Sequence, residues 1–416
     1  MARLTRRSVI LSGAGAAAAS ILPRSLSAQP GGLDTDTIVI GAGVFGAWTA
    51  TKLREAHHDV LLIDAWGPAN ARASSGGESR MTRGSYGADE VYTRMALDSL
   101  EQWRFLSERS GLPIFHQTGV LFFFPEVQPF LEDTMRVHRR LGLPTALLDN
   151  AEMRRRFPQI NFDGIAAGVY EPGFGALMAR RAVQTLVAEF VHHGGGYRQA
   201  QVLPPVWSGV QLPHVTLATG ERLRANRFIF ACGPWLGRLF PDLLGHRIFP
   251  TRQEVFFFAP PSGDTSFEPG HLPGWADFNA GDMYYGFPDL EGRGFKIAHD
   301  KHGPAMDPDT GDRVPSAPAL AEVRAFMEQR FPAMAGRPLS EARVCQYENS
   351  SNGDFLIDYH PHWENVVLVG AGSGHGFKHG PAVGRYATDL ALRQLDAPEP
   401  RFSLATKAEE QNRAVH

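Results

Sequence analysis

Short runs of consecutive apolar residues recur along the chain, and each run ends at glycines or at a carboxylate. A helix-like apolar period follows the first run up to Ala56, and another extends from Pro381 to Leu392 after the last run. The runs lack alternation and are rich in aliphatic and aromatic residues, as in parallel strands buried on both faces. They occupy residues 37–40, 60–63, 228–231 and 366–369. The pattern therefore predicts an α/β unit whose strands come from the start, middle and end of the chain.

The first apolar run continues into Gly41, Gly43 and Gly46, and the second run ends at Asp64. In such a strand–turn–helix unit the first glycine permits a tight turn, the second lets the backbone approach a diphosphate, and the third allows close packing. The helix N-terminus attracts the phosphates, and the acid at the end of the second strand accepts hydrogen bonds from a ribose. The spacing predicts a dinucleotide site that FAD and NAD both fit, whereas Asp64 disfavours NADP.

The strands of this unit are far apart in sequence, which indicates a second domain inserted between them. Strands are expected at residues 119–125 and 254–260, where runs of three phenylalanines are more typical of sheet core than of a ligand cage. The fold class is predicted as α/β with an antiparallel sheet, a Rossmann-like domain carrying an inserted mixed or antiparallel-sheet domain. The predicted dinucleotide-binding domain covers residues 34–114, 180–248 and 350–400, and the substrate-binding domain covers 115–179 and 249–349.

Composition and charge exclude several classes of protein. The 416 residues are 43% hydrophobic and 20% charged, with a net charge of −3 and two cysteines. This hydrophobic content excludes a disordered chain, and two cysteines exclude a disulfide scaffold. No long Lys/Arg run is present, which argues against a nucleic-acid partner. The histidine pairs lack a third ligand at metal-site spacing, so no metal site is predicted.

The N-terminus has the pattern of an export signal. Arg6 and Arg7 precede an Ala/Gly-rich apolar stretch up to Leu22, and residues 25–28 offer small side chains for cleavage. This is typical of a twin-arginine (Tat) signal peptide, with an amphiphilic helix or membrane anchor as the alternative. Because a membrane span needs roughly 20 apolar residues, the stretch is too short to cross a bilayer. Residues 1–28 are expected to direct Tat export to the periplasm or outside the cell, with no stable membrane insertion after cleavage.

Candidate chemistry lies in four short segments downstream. Arg80 and Arg83 are three residues apart, so on a helix they would share a face and could clamp an anion such as a carboxylate. Solvated surface arginines are the alternative. The other segments hold residues that each have a purely structural explanation, as a buried cysteine, strand-edge tyrosines or lysines with buried stems: Tyr285, Lys296, Cys345, Tyr347 and Lys378.

Taken in order, these motifs resemble one known family. The chain is similar to the monomeric sarcosine oxidase group of FAD-dependent amine oxidases, within the D-amino-acid-oxidase-like superfamily. The resemblance extends from about residue 36 to about residue 392. It depends on the glycine fingerprint at 41–46 and on four further segments, at residues 79–83, 284–288 with Lys296, 345–347 and 373–378. Five ordered motifs are far more specific than any one of them.

The resemblance implies a role for each candidate residue. Cys345 would bond its thiolate to the flavin and make FAD covalent, while Arg80 would lie against the flavin ring and favour its reduced, anionic form. Arg83 and Lys378 would hold the substrate carboxylate, and Lys296 would activate oxygen. The remaining candidates would form the pocket wall or the cofactor site: Tyr285 and Tyr347 at the wall, and Gly41, Gly43, Gly46, Asp64, Gly374 and Gly376 around the FAD.

The implied reaction is oxidation of a secondary amine or an N-alkyl or cyclic amino acid to an imine, with dioxygen reduced to hydrogen peroxide. Alternatives are a dehydrogenase that uses another acceptor, a fructosyl-amino-acid oxidase and a flavin-binding protein without turnover. Members of the family often have histidine four residues after the lysine, where this chain has Asp300. An anionic Asp300 would favour a substrate with a second cationic or hydroxylated group, or would face solvent. A disulfide between Cys232 and Cys345 would contradict covalent flavin.

Overall fold

The computed structural model describes residues 34–279, 282–301 and 303–411. The predicted export signal, residues 1–28, lies outside these ranges. The helices are α1 Val44–Glu55, α2 Glu90–Ser110, α3 Pro129–Arg140, α4 Asn150–Arg156, α5 Ala179–His192, α6 Leu236–Leu239, α7 Pro241–Leu244, α8 Ala317–Arg330 and α9 Gly380–Ala391. Among the described helices, none combines the length and the apolar character needed to cross a bilayer.

The strands alternate with these helices in the first part of the chain and follow one another closely in its second half. They are β1 Thr35–Ile40, β2 Val60–Asp64, β3 Ser79–Thr82, β4 Phe115–His116, β5 Val120–Phe124, β6 Ala146–Asp149, β7 Ala167–Glu171, β8 Gly175–Met178, β9 Gly196–Gln199, β10 Val215–Thr216, β11 Arg222–Leu223, β12 Ala225–Phe230, β13 Phe249–Phe258, β14 Gly274–Asn279, β15 Asp282–Phe287, β16 Phe295–Asp300, β17 Leu339–Asn349, β18 Leu356–Tyr359 and β19 Val366–Gly370.

A six-stranded sheet carries the predicted strand–turn–helix unit. Its strand order is β18-β19-β12-β1-β2-β9, parallel throughout except for β18. All four apolar runs of the sequence lie in it, as β1, β2, β12 and β19. The carboxyl ends of parallel strands meet at one edge of a sheet, and in such folds ligands bind at that edge. The predicted Rossmann-like unit is confirmed.

Helices α1 and α9 pack closely against each other over this sheet. A Cβ added to Gly384 of α9 would lie 2.6 Å from the Cβ of Trp48 in α1, and one added to Gly380 would lie 2.5 Å from Val44. Only glycine permits such an approach, so the two helices can cover the sheet with a fully buried Trp48 between them. The N-terminus of α1 is thereby fixed at the carboxyl edge of β1.

An eight-stranded sheet forms the second large unit, in the order β17-β13-β16-β15-β14-β5-β7-β6. It is antiparallel except for the parallel pair β14 and β5. The phenylalanine runs at 122–124 and 256–258 are buried in it, as expected for sheet core. The mixed, mainly antiparallel sheet that the sequence predicted is therefore present. Its strands β13, β15, β16 and β17 carry residues of the site.

The segment containing Arg80 and Arg83 is not helical, so the prediction of a shared helical face is wrong. Residues Ser79–Thr82 form β3, which pairs with β8 so that Arg80 lies opposite Leu177. Ladder pairing with β8 stabilises the extended backbone, with Ser79 and Thr82 buried. A spacing of three residues alone does not determine a helix, because tertiary pairing overrides it. Arg83 follows directly after the strand.

Candidate functional site

The candidate residues line two adjoining cavities, which we call the long cavity and the inner pocket. The long cavity has a volume of about 1530 Å³ including its open mouth, and the inner pocket has about 940 Å³ on the same measure. The long cavity follows the carboxyl edge of the six-stranded sheet, and the inner pocket is bounded by strands of the eight-stranded sheet. Five residues line both: Arg80, Tyr347, Ser373, Gly374 and Phe377. The cavities therefore share a wall.

The three glycines after β1 occupy the positions that the fingerprint requires. Gly41 has φ +105°, and a Cβ there would lie 2.3 Å from the carbonyl oxygen of Ala231, directly after the neighbouring strand β12. A Cβ on Gly46 would lie 1.9 Å from the carbonyl oxygen of Gly41. At Gly43 the nearest atom would be Ser75 Oγ at 3.5 Å, so the backbone faces open space in the long cavity. The first and third glycines serve the turn and the packing, and the second leaves room for a ligand.

Asp64 lies at the end of β2 and lines the long cavity. Its Oδ2 accepts the backbone N–H of Ala42 at 2.7 Å, and its Oδ1 accepts that of Trp66 at 2.8 Å. Burial raises the pKa of Asp64, and these backbone hydrogen bonds oppose the rise. A carboxylate oxygen has further lone-pair sites, so Asp64 can still accept a ribose hydroxyl.

A second glycine-rich segment follows β19 and forms the opposite wall of the long cavity. Gly374 has φ +79°, and a Cβ there would lie 2.8 Å from the ring of Tyr347. A Cβ on Gly376 would lie 2.8 Å from Phe45 Cζ and equally close to Gly372 Cα. Both predicted glycines therefore bring the backbone close to the cavity at positions where a side chain would not fit.

Arg83 and Lys378 meet at the inner pocket, as predicted from the resemblance. Both line it, and both lie over the ring of Tyr86, with Arg83 Cζ at 4.0 Å and Lys378 Nζ at 5.2 Å from its centroid. Lys378 Nζ donates a hydrogen bond to the carbonyl oxygen of His375 at 2.8 Å, and Arg83 donates to that of Ser85. Two cations in the lining of one pocket could together hold a carboxylate.

Strands β15, β16 and β17 form one wall of the inner pocket, and they carry Tyr285, Asp300 and Tyr347. Tyr347 donates its hydroxyl hydrogen to Asp300 Oδ1 at 2.9 Å and is also hydrogen-bonded to Tyr285. Burial raises the pKa of both phenols, and the negative charge of Asp300 adds to the rise. Among the described residues that line the inner pocket, Asp300 carries the one carboxylate. Asp300 therefore lies in the pocket wall, one of the two positions left open from the sequence.

Arg80 and Lys296 converge on a single peptide oxygen. Arg80 donates to the carbonyl oxygens of Ser79 at 2.8 Å and Ser74 at 2.6 Å, and Lys296 Nζ donates to the same Ser79 oxygen at 3.1 Å. Lys296 is 2% exposed, and burial, followed by the positive charge of Arg80, lowers its pKa to about 7. Lys296 lines neither cavity, but its Nζ lies 5.7 Å from the ring centroid of Tyr285, which lines the inner pocket.

Both cysteines are free, so they form no disulfide. Cys345 is half-buried on β17, opposite Gln253 of β13, and lines the inner pocket. Cys232 lies in the long cavity, where its thiol donates to the carbonyl oxygen of Ile40 at 3.3 Å. Burial raises the pKa of the Cys232 thiol. The cysteine that the resemblance assigned to the cofactor thus lines the inner pocket.

Several residues of the site were not identified from the sequence. Ser75 accepts the N–H of Val44, the first residue of α1, at 3.0 Å. The ring of Tyr86 contacts the cations of Arg83 and Lys378, and its hydroxyl lies 2.7 Å from His379 Nε2. Glu348 follows Tyr347 on β17 and lines the long cavity. Strand alternation predicts that Glu348 points away from Tyr347. No sequence motif identifies Ser75, Tyr86 or Glu348 as a site residue.

No group of three or more His, Cys, Asp or Glu side chains within the described residues is arranged to hold a metal ion.

Comparison with known proteins places the chain among flavoenzymes. Residues 36–390 match the family described as FAD dependent oxidoreductase. The monomeric sarcosine oxidase of Bacillus sp. (strain B-0618) is 31% identical over 365 residues, which cover 86% of this chain and 92% of that protein. The N-methyl-L-tryptophan oxidase of Salmonella arizonae is 30% identical over 373 residues, or 89% of this chain and 96% of that protein.

Solved structures with the same fold are more distant in sequence. The L-proline dehydrogenase from P. horikoshii superposes with a TM-score of 0.76 at 19% identity, covering 86% of this chain and 93% of that one. The fructosamine oxidase from Aspergillus fumigatus (Amadoriase II) gives a TM-score of 0.72 at 23% identity, with 89% of each chain covered. These two likenesses show the fold alone.

Proposed function

This chain belongs to the FAD dependent oxidoreductase family, and we propose that it oxidises a carboxylate-bearing secondary amine or N-alkyl amino acid to an imine. In this proposal two electrons and a proton leave the carbon next to nitrogen, the nitrogen loses its proton, and water then hydrolyses the imine. Dioxygen takes up the two electrons and two protons and becomes hydrogen peroxide. The observation that carries the proposal is the cation pair Arg83 and Lys378 in a pocket that shares a wall with the dinucleotide cavity.

The long cavity has the features that FAD requires. The open backbone at Gly43 and the N-terminus of α1 suit the diphosphate, and Asp64 suits the ribose. Gly374 and Gly376 leave the opposite wall free of side chains. When bound there, FAD supplies the acceptor for the two electrons. We assign these residues, together with Gly41 and Gly46 at the turn, to cofactor binding.

We further propose that the Cys345 thiol bonds to the 8α carbon of the flavin, which makes the cofactor covalent. One C8α–H bond and the S–H bond would be broken, and the two electrons released would be taken up by the flavin and then by dioxygen, which becomes hydrogen peroxide. The support is the free thiol of Cys345, its position on β17 in the inner pocket and its place two residues before Tyr347, which lines both cavities. Arg80, in the shared wall, would place its charge beside the flavin. Its guanidinium is already held by two carbonyl oxygens, so it needs no reorganisation during the reaction.

The inner pocket favours a substrate that carries both signs of charge or several hydroxyl groups. Arg83 and Lys378 would anchor its carboxylate, which fixes the position of the carbon that is oxidised. Asp300, held by Tyr347, offers an acceptor for an ammonium, amine or hydroxyl hydrogen elsewhere on the substrate. The proposed substrate class is therefore an N-substituted amino acid with a second cationic or hydroxylated group, rather than the smallest N-methyl amino acid.

We also propose that the Tat machinery exports the protein to the periplasm or outside the cell. This proposal depends on the residues of the signal sequence alone. N-terminal sequencing of the protein recovered from the periplasm or medium would test it, and recovery of the uncleaved chain from the cytoplasm would contradict it.

A substrate panel under anaerobic conditions tests the proposed reaction. N-methyl and N-fructosyl derivatives of basic and neutral amino acids should bleach the flavin, and the best of them should consume oxygen and release peroxide stoichiometrically. The same amines as methyl esters serve as controls, because they lack the carboxylate. Bleaching with no oxygen uptake, but with reduction of a dye or quinone, would indicate a dehydrogenase. A flavin that no amine reduces would contradict the enzymatic proposal.

Loss of either cation of the pair should weaken substrate binding. For Arg83→Gln and Lys378→Met we expect KM to rise about 10- to 100-fold, because each removes a charge-assisted hydrogen bond. The measurement is steady-state kinetics with the best substrate of the panel. Arg94→Gln, at an exposed arginine that lines neither cavity, is the matched control and should leave KM unchanged. The same KM for both pocket variants and the native enzyme would contradict the assignment.

A further inference from the structure

Glu348 is a buried carboxyl group in the wall of the long cavity, and the reaction proposed above does not use it. It is 7% exposed and lies on β17 directly after Tyr347. Three glycines border it: a Cβ added to Gly233 or Gly370 would lie 3.4 or 3.5 Å from Oε2, and one added to Gly372 would lie 3.5 Å from Oε1. The carboxyl group thus occupies a niche lined by backbone.

The two oxygens of this group are in different situations. Oε1 accepts the backbone N–H of Gly372 at 3.4 Å. Oε2 is buried and has no hydrogen-bond partner among the described residues. A buried polar atom without a partner is costly, and native proteins rarely retain one unless a ligand or water completes it. Glu348 and Gly233, the glycine nearest Oε2, both line the long cavity, so the ligand of that cavity is the candidate partner.

Burial of Glu348 favours its neutral form. Burial raises its pKa to about 8, and the backbone N–H groups of Ala371 and Gly372 oppose the rise only in part. No charged side chain among the described residues contributes to this rise or opposes it. FAD brings a negatively charged diphosphate into the same cavity, which disfavours a second anion there.

We propose that Glu348 is a neutral carboxylic acid in the FAD-bound protein and donates a hydrogen bond from Oε2 to an acceptor atom of the cofactor. In this form Oε1 keeps the hydrogen bond from Gly372, and Oε2, which has no partner among the described residues, carries the proton and donates it to the cofactor. The inference depends on the cofactor of the family and not on the proposed amine substrate. Glu348 is therefore assigned to cofactor binding, beside the glycines and Asp64.

The test compares FAD affinity in two variants made in a Cys345→Ser background, where FAD can be removed and titrated back. Glu348→Gln keeps the shape and a neutral donor, so its dissociation constant for FAD should stay within about threefold of the parent. Glu348→Leu lacks the donor and should bind FAD about tenfold more weakly. Glu171→Gln, at a fully buried carboxyl group that lines neither cavity, controls for general effects on the fold. Quenching of flavin fluorescence gives each constant.

An infrared difference spectrum, FAD-loaded minus FAD-free, gives a second readout that needs no turnover. The C=O band of a protonated carboxylic acid should shift on loading and be absent in Glu348→Gln, which also decides the question if Glu348→Leu does not fold. Tighter FAD binding in both variants would mean that Glu348 is ionised and repels the cofactor. Equal affinities in all proteins, or equal weakening in both variants, would likewise overturn the proposal. Failure of every amine to react would leave these results unaffected.

Discussion

Replacing Cys345 by serine is expected to convert a flavin that stays with the protein into one that is released. After precipitation with acid, the yellow colour of the native protein should remain in the pellet, and that of Cys345→Ser should move entirely to the supernatant. A serine hydroxyl cannot form the thioether bond to the cofactor, whereas the noncovalent contacts of the long cavity remain in the folded state. The measurement is the flavin absorbance of pellet and supernatant, supported by the mass of the denatured chain.

Cys232→Ser is the matched control, since Cys232 lies in the long cavity but is not assigned to the bond. Its flavin should stay with the pellet. Release of the flavin from the native protein would remove the role of Cys345, although FAD binding itself would stand. Retention of the flavin in Cys345→Ser and its release from Cys232→Ser would assign the bond to the other thiol.

Replacing Lys296 by methionine should slow reoxidation of the reduced flavin by oxygen about 100-fold or more. A fixed cation stabilises the negative charge that develops as oxygen takes up the first electron, and loss of one such group typically costs a factor of this size. Anaerobic reduction by substrate should change far less, because Lys296 lines neither cavity. Stopped-flow mixing of the reduced protein with oxygen separates the two half-reactions.

The pH dependence of the same rate gives an independent check. Burial and the charge of Arg80 lower the pKa of Lys296 to about 7, so the native rate should fall as the pH rises through this region and the lysine loses its proton. The rate of Lys296→Met should not depend on pH there. Lys301→Met, at an exposed lysine paired with Glu322, should behave like the native protein. An oxygen rate unchanged by Lys296→Met would contradict the assigned role.

The parts of the fold that could be predicted are those fixed by local pattern. Continuous apolar runs mark β1, β2, β12 and β19, and close backbone contacts require glycine at positions 41 and 46. Hence the Rossmann-like unit and the position of Asp64 follow from the sequence. The aromatic runs at 122–124 and 256–258 likewise indicated buried strands, because three consecutive large rings need a core on both faces.

The parts that failed depend on which strands pair. Arg80 lies on β3 because β8 supplies a partner from residues 175–178, almost a hundred positions away, and the spacing of two arginines does not contain that information. The contact between Tyr347 and Asp300 requires β17, β13 and β16 to lie side by side in register. The motif order indicated that these residues belong together, but it did not indicate that Asp300 accepts from Tyr347.

The carbonyl oxygen of Ser79 accepts hydrogen bonds from both Arg80 and Lys296. Under the proposed function one of these cations serves electron uptake from the amine and the other serves electron delivery to oxygen. A substitution that displaces this one oxygen would shift both cations at once. The two half-reactions therefore depend on the position of the same backbone atom. A change in the backbone of β3 that moves this oxygen is therefore expected to alter both half-reactions together.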